Sequence, residues 1–263
     1  MITPPATDEE RLQRAADFLL ALRRPGARPL SLPVELAPRD EREAYRVQAA
    51  IALAQGDAGG YWKVAMNDTS TGTCAPVLAA DVHATGAQVA SPIAEELGIE
   101  PEVAFKLRSA LPPQATGRRY ERNSVMAAIG SAHPAIEIVV SRFLRHELAE
   151  PLDRLADNIS NAGLVLGPPC QRWRQLDFAA LPLRLQMTSE GHEPEIVRPR
   201  GGHPQGDPLL PMIWLANHLS ALGTGLKAGD VVTTGSYAGL RRVGRGTHVL
   251  VDFEGLGQVE LNG

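Results

Sequence analysis

Three glycines, Gly56, Gly59 and Gly60, separate two periodicities that cannot belong to one kind of element. Before them the apolar residues recur at helical spacing. After them the apolar residues come in short or alternating runs broken by Gly, Pro and Asp. A helix returns to one face every three or four residues and a strand every two, so the chain must change architecture at this point. Thr7 ahead of Asp8, Glu9 and Glu10 has the form of a capping box, and Leu12, Ala15, Ala16, Leu19, Leu20 and Leu22 follow as the apolar positions of a helix. Pro25 and Gly26 stop it. A second helix is predicted from near Asp40 to Gly56, with Ala44, Val47, Ile51 and Leu53 broadly on one side. Beyond Gly60 the predicted strands are Tyr61–Met66, Ile99–Leu107, Ala135–Val140, Leu164–Leu166, Leu183–Met187, Val231–Thr234 and His248–Phe253. Glu254-Gly255-Leu256-Gly257 marks a hairpin between the last of these and Gln258–Leu261. Two helices interrupt the strands, at about Arg122–Ile129 and from Pro208 to about Leu222. The fold class predicted is α+β, a small helical N-terminal region over residues 1–60 and a larger β-rich domain over 61–263.

Charge and cysteine content narrow the function. The 263 residues carry 30 acidic and 26 basic side chains, a formal net charge of −4 with no basic block, which is a poor basis for nucleic-acid binding. No apolar run approaches the roughly 20 residues that cross a bilayer, and Met1–Arg14 lacks the charged-then-apolar order of a signal peptide. Cys74 and Cys170 are far apart and form no CxxC pair, which excludes a disulfide framework and fits a reducing compartment. These features predict a cytoplasmic enzyme acting on a small molecule.

The chemistry concentrates in Gly98-Ile99-Glu100-Pro101-Glu102-Val103-Ala104-Phe105. On a helix, carboxylates two apart diverge; on a strand they share a face, and Pro101 argues against a helix interior. Glu100 and Glu102 therefore sit side by side at the edge of an apolar strand, either as a solvated acidic end continuing Glu95-Glu96 or as paired ligands. Glu137 stands alone in the apolar run Ala135-Ile136-Glu137-Ile138-Val139-Val140, where a carboxylate must be paired or ligating. Arg142 or Lys106 could pair with it. Three glutamates from two strands otherwise make an oxygen-only site for a hard divalent cation, magnesium or manganese, with zinc disfavoured because no His or Cys joins them. Lys63 reads as an edge-strand lysine or as a positive charge facing that site. Asp81 reads as a turn residue and Ser160 as a helix cap. His133 and His203 read as structural or surface histidines, although His203 lies in a Gly- and Pro-rich loop, Arg200–Pro204, that could approach the site. Trp173 and Trp214 read as core or interface.

These residues resemble the fumarylacetoacetate hydrolase superfamily, and within it the branch of 2-keto-4-pentenoate hydratases and 4-oxalocrotonate decarboxylases. The resemblance rests on Gly98–Leu107, on the Pro-Ala-Ile-Glu-Ile-Val segment around Glu137, on Tyr61-Trp62-Lys63 and on Gly229–Gly235. It implies a mixed β-roll domain, a metal held by Glu100, Glu102 and Glu137, catalytic roles for Lys63 and Asp81, substrate binding by Ser160, Thr234 and Gly235, and a homo-oligomer. It also implies an enzyme of aromatic ring-cleavage catabolism that acts on 2-oxo or 2-hydroxy-dienoic acids. Hydration is the first choice among reactions; C–C hydrolysis of an acylpyruvate, or decarboxylation, are the alternatives. The chain departs from the common family pattern at Lys63-Val64-Ala65, at Gly206-Asp207-Pro208-Leu209, and at Val140, where several members place an aspartate. A non-catalytic partner subunit would have no reason to keep the three glutamates and the lysine, and a metal-independent binding module would leave the carboxylates apart.

Overall fold

The computed structural model describes residues 7–199 and 202–263. Residues 1–6 of the N-terminal segment, and Arg200 and Gly201 of the loop ahead of His203, lie outside these. Helices α1 (Asp8–Ala21) and α2 (Glu41–Ala54) begin where capping side chains dictate: Thr7 accepts from the Glu10 N–H and Asp40 from the Glu43 N–H. The two helices pack Leu12, Leu19, Val47 and Ile51 into a core of their own with Phe143 and Leu155. At about 1.5–3 kcal/mol for each fully buried side chain of this size, that core ties the helices to the segment holding Phe143 and Leu155.

Strands β1 (Tyr61–Met66), β2 (Gly72–Pro76), β3 (Val82–Ala84), β4 (Ala87–Gln88) and β5 (Glu96–Leu107) come next. Helix α3 (Arg122–Ala128) runs straight into β6 (Ile129–Val139); α4 (Pro151–Ala156) and β7 (Asn161–Leu166) follow. The chain closes with β8 (Leu183–Thr188), β9 (Glu195–Val197), α5 (Leu209–Ala221), β10 (Val231–Ser236), β11 (Arg241–Gly244), β12 (His248–Phe253) and β13 (Gly257–Asn262). The first sheet has the order β2-β1-β10-β5-β6-β7-β3, with β11 also on β5; the second has the order β4-β13-β12-β8-β9. Architecture and order make this a mixed α+β fold. Among the described residues, no helix is long and apolar enough to cross a membrane.

Strand alternation sorts the first sheet into two chemically different faces. Val64, Ile99, Val103, Phe105, Ile136, Ile138 and Val232 point to one side and form the main core with Val249, Val251 and Phe253 of the second sheet and with Met212 and Leu215 of α5. Lys63, Glu100, Glu102 and Glu137 point to the other.

Two prolines lie inside central strands, where a missing donor normally excludes them. The Pro101 carbonyl accepts from Tyr237 N–H in the interval between β10 and β11, so its missing N–H faces a break in the ladder. The Pro134 carbonyl accepts from Gly167 N–H; the Gly167 carbonyl, with no donor on Pro134, is instead 3.0 Å from Nδ1 of His133. That substitution of partners explains His133 as a structural residue.

Candidate metal centre

In the β5–β6 ladder Glu100 lies directly opposite Glu137, while Glu102 follows two residues on, on the same face. Each of the three glutamates has a carboxylate oxygen within 4.8 Å of the others. Ala104 and Ala135, the next residues on that face, are fully buried and pack with Val77, Leu164 and Val231. Glu102 is aimed by a break in regular pairing. The β5–β10 register shifts between Thr233 and Ser236, and Gly235 turns its N–H to Glu102 Oε2 at 2.9 Å. Gly235 has φ of +116°, which L side chains rarely adopt, so glycine is required there.

Lys63 reaches this face from β1, next to Thr233 of β10. Its Nζ lies 2.6 Å from Glu137 Oε1 and 3.3 Å from the Ile159 carbonyl. Asn161 Nδ2 donates to the same Glu137 oxygen at 2.9 Å. The other oxygen, Oε2, is buried without a hydrogen-bond partner among the described residues, and Glu137 as a whole is only 1% exposed. An orphaned carboxylate oxygen in a cluster of three carboxylates and one ammonium, net formal charge −2, fits a divalent cation.

The electrostatics agree. Burial, then the Glu137 charge, raises the Glu100 carboxyl above its usual range. Burial with Glu137 and Glu100 holds Glu102 well above it, against the opposing Gly235 N–H. Burial disfavours the Lys63 ammonium, but Glu137, Glu100 and Glu102 together outweigh that and raise its pKa.

A left-handed turn carries the Lys63 and Glu137 contacts. Asn158, Ile159 and Ser160 all have positive φ, 52°, 53° and 59°. Outside Gly and Asn such a conformation costs roughly 1–2 kcal/mol per residue, and it is least expected of β-branched Ile159. Arg142 holds it in place. Fully buried, this guanidinium pairs with the Asp157 carboxylate and the Asp157 carbonyl, and its Nη1 donates to the Val140 and Asn161 carbonyls at 2.7 Å each. The turn thereby aims the Ile159 carbonyl at Lys63 and the Asn161 amide at Glu137.

The structure thus brings Glu100, Glu102, Glu137 and Lys63 together, with Gly235 and the Ser160 turn alongside. Thr234 is buried and its hydroxyl donates to the Val103 carbonyl at 3.0 Å, so it fixes the backbone that aims Gly235. His203 accompanies it, with Nε2 2.6 Å from the Thr234 carbonyl. Asp81 is placed elsewhere. It pairs with Arg23 at 3.2 Å and lines a cavity with Ile138, on the opposite sheet face, and with Val140 and Arg142. Neither pairing considered for Glu137 forms: its cation is Lys63, and Arg142 is taken by Asp157. Sequence reasoning did not single out Asn161 or the Arg142–Asp157 pair. The available signal was Asp157–Asn161, four polar residues in five, directly ahead of an apolar strand.

Fold and geometry together define a β-rich protein with a three-glutamate, oxygen-only candidate cation site. The chain belongs to the fumarylacetoacetate (FAA) hydrolase family, whose C-terminal domain description matches residues 62–262. It is 32% identical over 161 residues to the 2-keto-4-pentenoate hydratase of Burkholderia vietnamiensis, a match covering 61% of this chain and 60% of that protein's length. It is 27% identical over 255 residues to the TodF product hydratase of Pseudomonas putida, covering 94% and 93%. The 4-oxalocrotonate decarboxylase from Pseudomonas putida G7, solved with magnesium and adipate, superposes with a TM-score of 0.81 over 98% of this chain and 99% of that one, at 21% identity, and so shares the fold.

Proposed function

We propose that the chain is a magnesium- or manganese-dependent hydratase of 2-hydroxy-2,4-dienoic or related 2-oxo acids, serving aromatic ring-cleavage catabolism. The observation that carries this reading is the orphaned Glu137 Oε2 inside the cluster with Glu100 and Glu102, backed by Lys63. The similarity to hydratases supports the choice of reaction. Glu100, Glu102 and Glu137 hold the cation, which supplies a Lewis acid for a chelated 2-oxo carboxylate. Lys63 provides fixed positive charge beside the enolate oxygen that develops during enolisation. Asn161 and Gly235 hold two of the carboxylates in place; outer partners of this kind are typically worth 10–100-fold in metal affinity. Ser160, in the turn between the Lys63 partner Ile159 and the Glu137 partner Asn161, contacts the substrate chain.

The test has two arms. Calorimetry with manganese on the chelator-treated protein should show binding that weakens strongly in Glu137→Gln; undiminished affinity removes Glu137 from the ligand set. The metal-loaded protein is then offered 2-hydroxypenta-2,4-dienoate and, separately, an acylpyruvate such as maleylpyruvate, with products followed by mass. A product one water heavier than the dienoate supports the reading. Pyruvate plus a dicarboxylic acid from the second substrate, with the dienoate untouched, replaces it with C–C hydrolysis, and release of carbon dioxide from a vinylogous 2-oxo acid replaces it with decarboxylation.

A further inference from the structure

Further along the same strands, beyond the cluster, lies a cavity of about 530 Å³ lined by Val139 and Ser160. Its wall includes Val139, opposite Gly98, two residues along the strands from the Glu100–Glu137 pair. Two strand residues span roughly 7 Å, the reach of a short acid chain extending away from its chelated end. Ser160 lines this cavity and is itself only 2% exposed. Its neighbours in sequence, Ile159 and Asn161, are the residues that touch Lys63 and Glu137. His146 begins the short turn His146–Leu148, lines the same cavity next to Ser160, and has its Nδ1 3.0 Å from Ser160 Oγ. The rest of the His146 side chain is open to solvent. One imidazole therefore links a buried hydroxyl beside the site to bulk water.

We infer that His146 is the positioning residue of Ser160 and the route by which a proton leaves the site. The inference rests on the hydratase reading for its substrate, and on the His146–Ser160 contact for its geometry. As a water oxygen bonds to the distal carbon of the substrate double bond, the π pair shifts toward the 2-oxo end beside Lys63. The water proton passes to Ser160 Oγ while the Ser160 hydroxyl proton passes to His146 Nδ1. The imidazolium releases that proton to solvent through its exposed edge, and the enolate carbon takes one back, so that the sum is one water added.

The charges around the ring suit a base. Burial of its inner edge, then Arg154, lowers the His146 pKa below the ordinary imidazole value, with Lys63 acting in the same direction and Asp157 and Glu147 opposing. The same cavity is also lined by Arg28, Arg242, Glu95 and Glu96.

The experiment uses the full chain with magnesium. His146→Asn keeps a short acceptor near the Nδ1 position but cannot take up a proton. It should lower kcat on the dienoate by about 10²-fold or more, abolish the acid limb of the kcat–pH profile, and leave KM and manganese affinity within about twofold. Imidazole in the buffer should restore part of the activity of His146→Ala. A His146→Asn variant with the parent's kcat and acid limb overturns the inference. An independent readout separates this outcome from failure of the hydratase reading. The His146 ring is titrated by NMR in the magnesium-loaded parent and in Ser160→Ala, with pyruvate as an unreactive 2-oxo acid. A shifted titration in Ser160→Ala supports the coupling whatever the substrate; identical titrations overturn it. A parent inactive on the dienoate, by contrast, counts against the hydratase reading alone.

Discussion

Replacing Lys63 by Met should move stability and metal affinity in opposite directions. The Lys63 ammonium lies 2.6 Å from Glu137 Oε1 in a site where both side chains are almost fully buried. At an effective dielectric of about 20, unit charges at that separation attract by roughly 6 kcal/mol. Desolvation cancels part of this, and removing one partner of a buried pair costs about 3–5 kcal/mol. The magnesium-free variant should therefore unfold in urea with a stability lower by about that amount. The same substitution takes the formal charge of the cluster from −2 to −3, so manganese should bind the variant more tightly than the parent and raise its urea midpoint by more. In the proposed reaction turnover should nevertheless collapse, because Lys63 is the positive charge assigned to the developing enolate. Chelator-treated parent and variant are compared by urea unfolding with and without manganese, alongside calorimetry. A metal-free stability within about 0.5 kcal/mol of the parent, with unchanged manganese affinity, would refute the view of Lys63 as counter-charge to the glutamates.

Two further outcomes follow from the same geometry. Arg142→Met strands the buried Asp157 carboxylate and frees the left-handed turn, and should lower stability by about 3–5 kcal/mol in urea unfolding; a loss below about 1 kcal/mol would show that the turn holds itself. Glu100 and Glu102 have raised pKa values in the folded, metal-free protein, so between the unfolded and folded values the native state binds more protons and their contribution to stability declines as pH rises. Metal-free protein should thus lose stability relative to the magnesium-loaded form on going from pH 5 to pH 8, and thermal midpoints that run parallel in the two forms would contradict this.

Local rules made much of the fold readable and failed where contacts are distant. Thr7 and Asp40 cap helices because a side-chain oxygen three residues upstream is a local cue. Glu100 and Glu102 share a face because strand alternation admits no other arrangement, and Glu137 stands out as the one charge in an apolar run. The first half of β6 was hidden: Ile129–Pro134 contains Gly130 and Pro134, and only the ladder break at Gly167 makes a proline tolerable there. The partner of Glu137 could not be read either, since Lys63 arrives through a strand pairing with no local signature. The positive φ of Ile159 runs against its own intrinsic preference and is imposed from outside by Arg142. Asp81 illustrates the converse: it ends a short turn ahead of β3 and pairs with Arg23, 58 residues earlier in the chain, a partner that its own neighbourhood does not reveal.

The long-range pairing that delivers Lys63 also orders the assembly of the site in time. Glu100 and Glu137 are 37 residues apart in sequence, whereas Lys63 meets Thr233 across 170 residues. Closing the longer loop costs about 1.3 kcal/mol more in chain entropy, and during synthesis β10 emerges long after both strands of the antiparallel β5–β6 pair. Kinetics therefore favours three glutamates meeting before their lysine. In that interval the cluster carries its full triple negative charge, and a divalent cation is the species best able to neutralise it. Metal supply during folding, and not only during turnover, should then influence how fast newly made chains reach the native state.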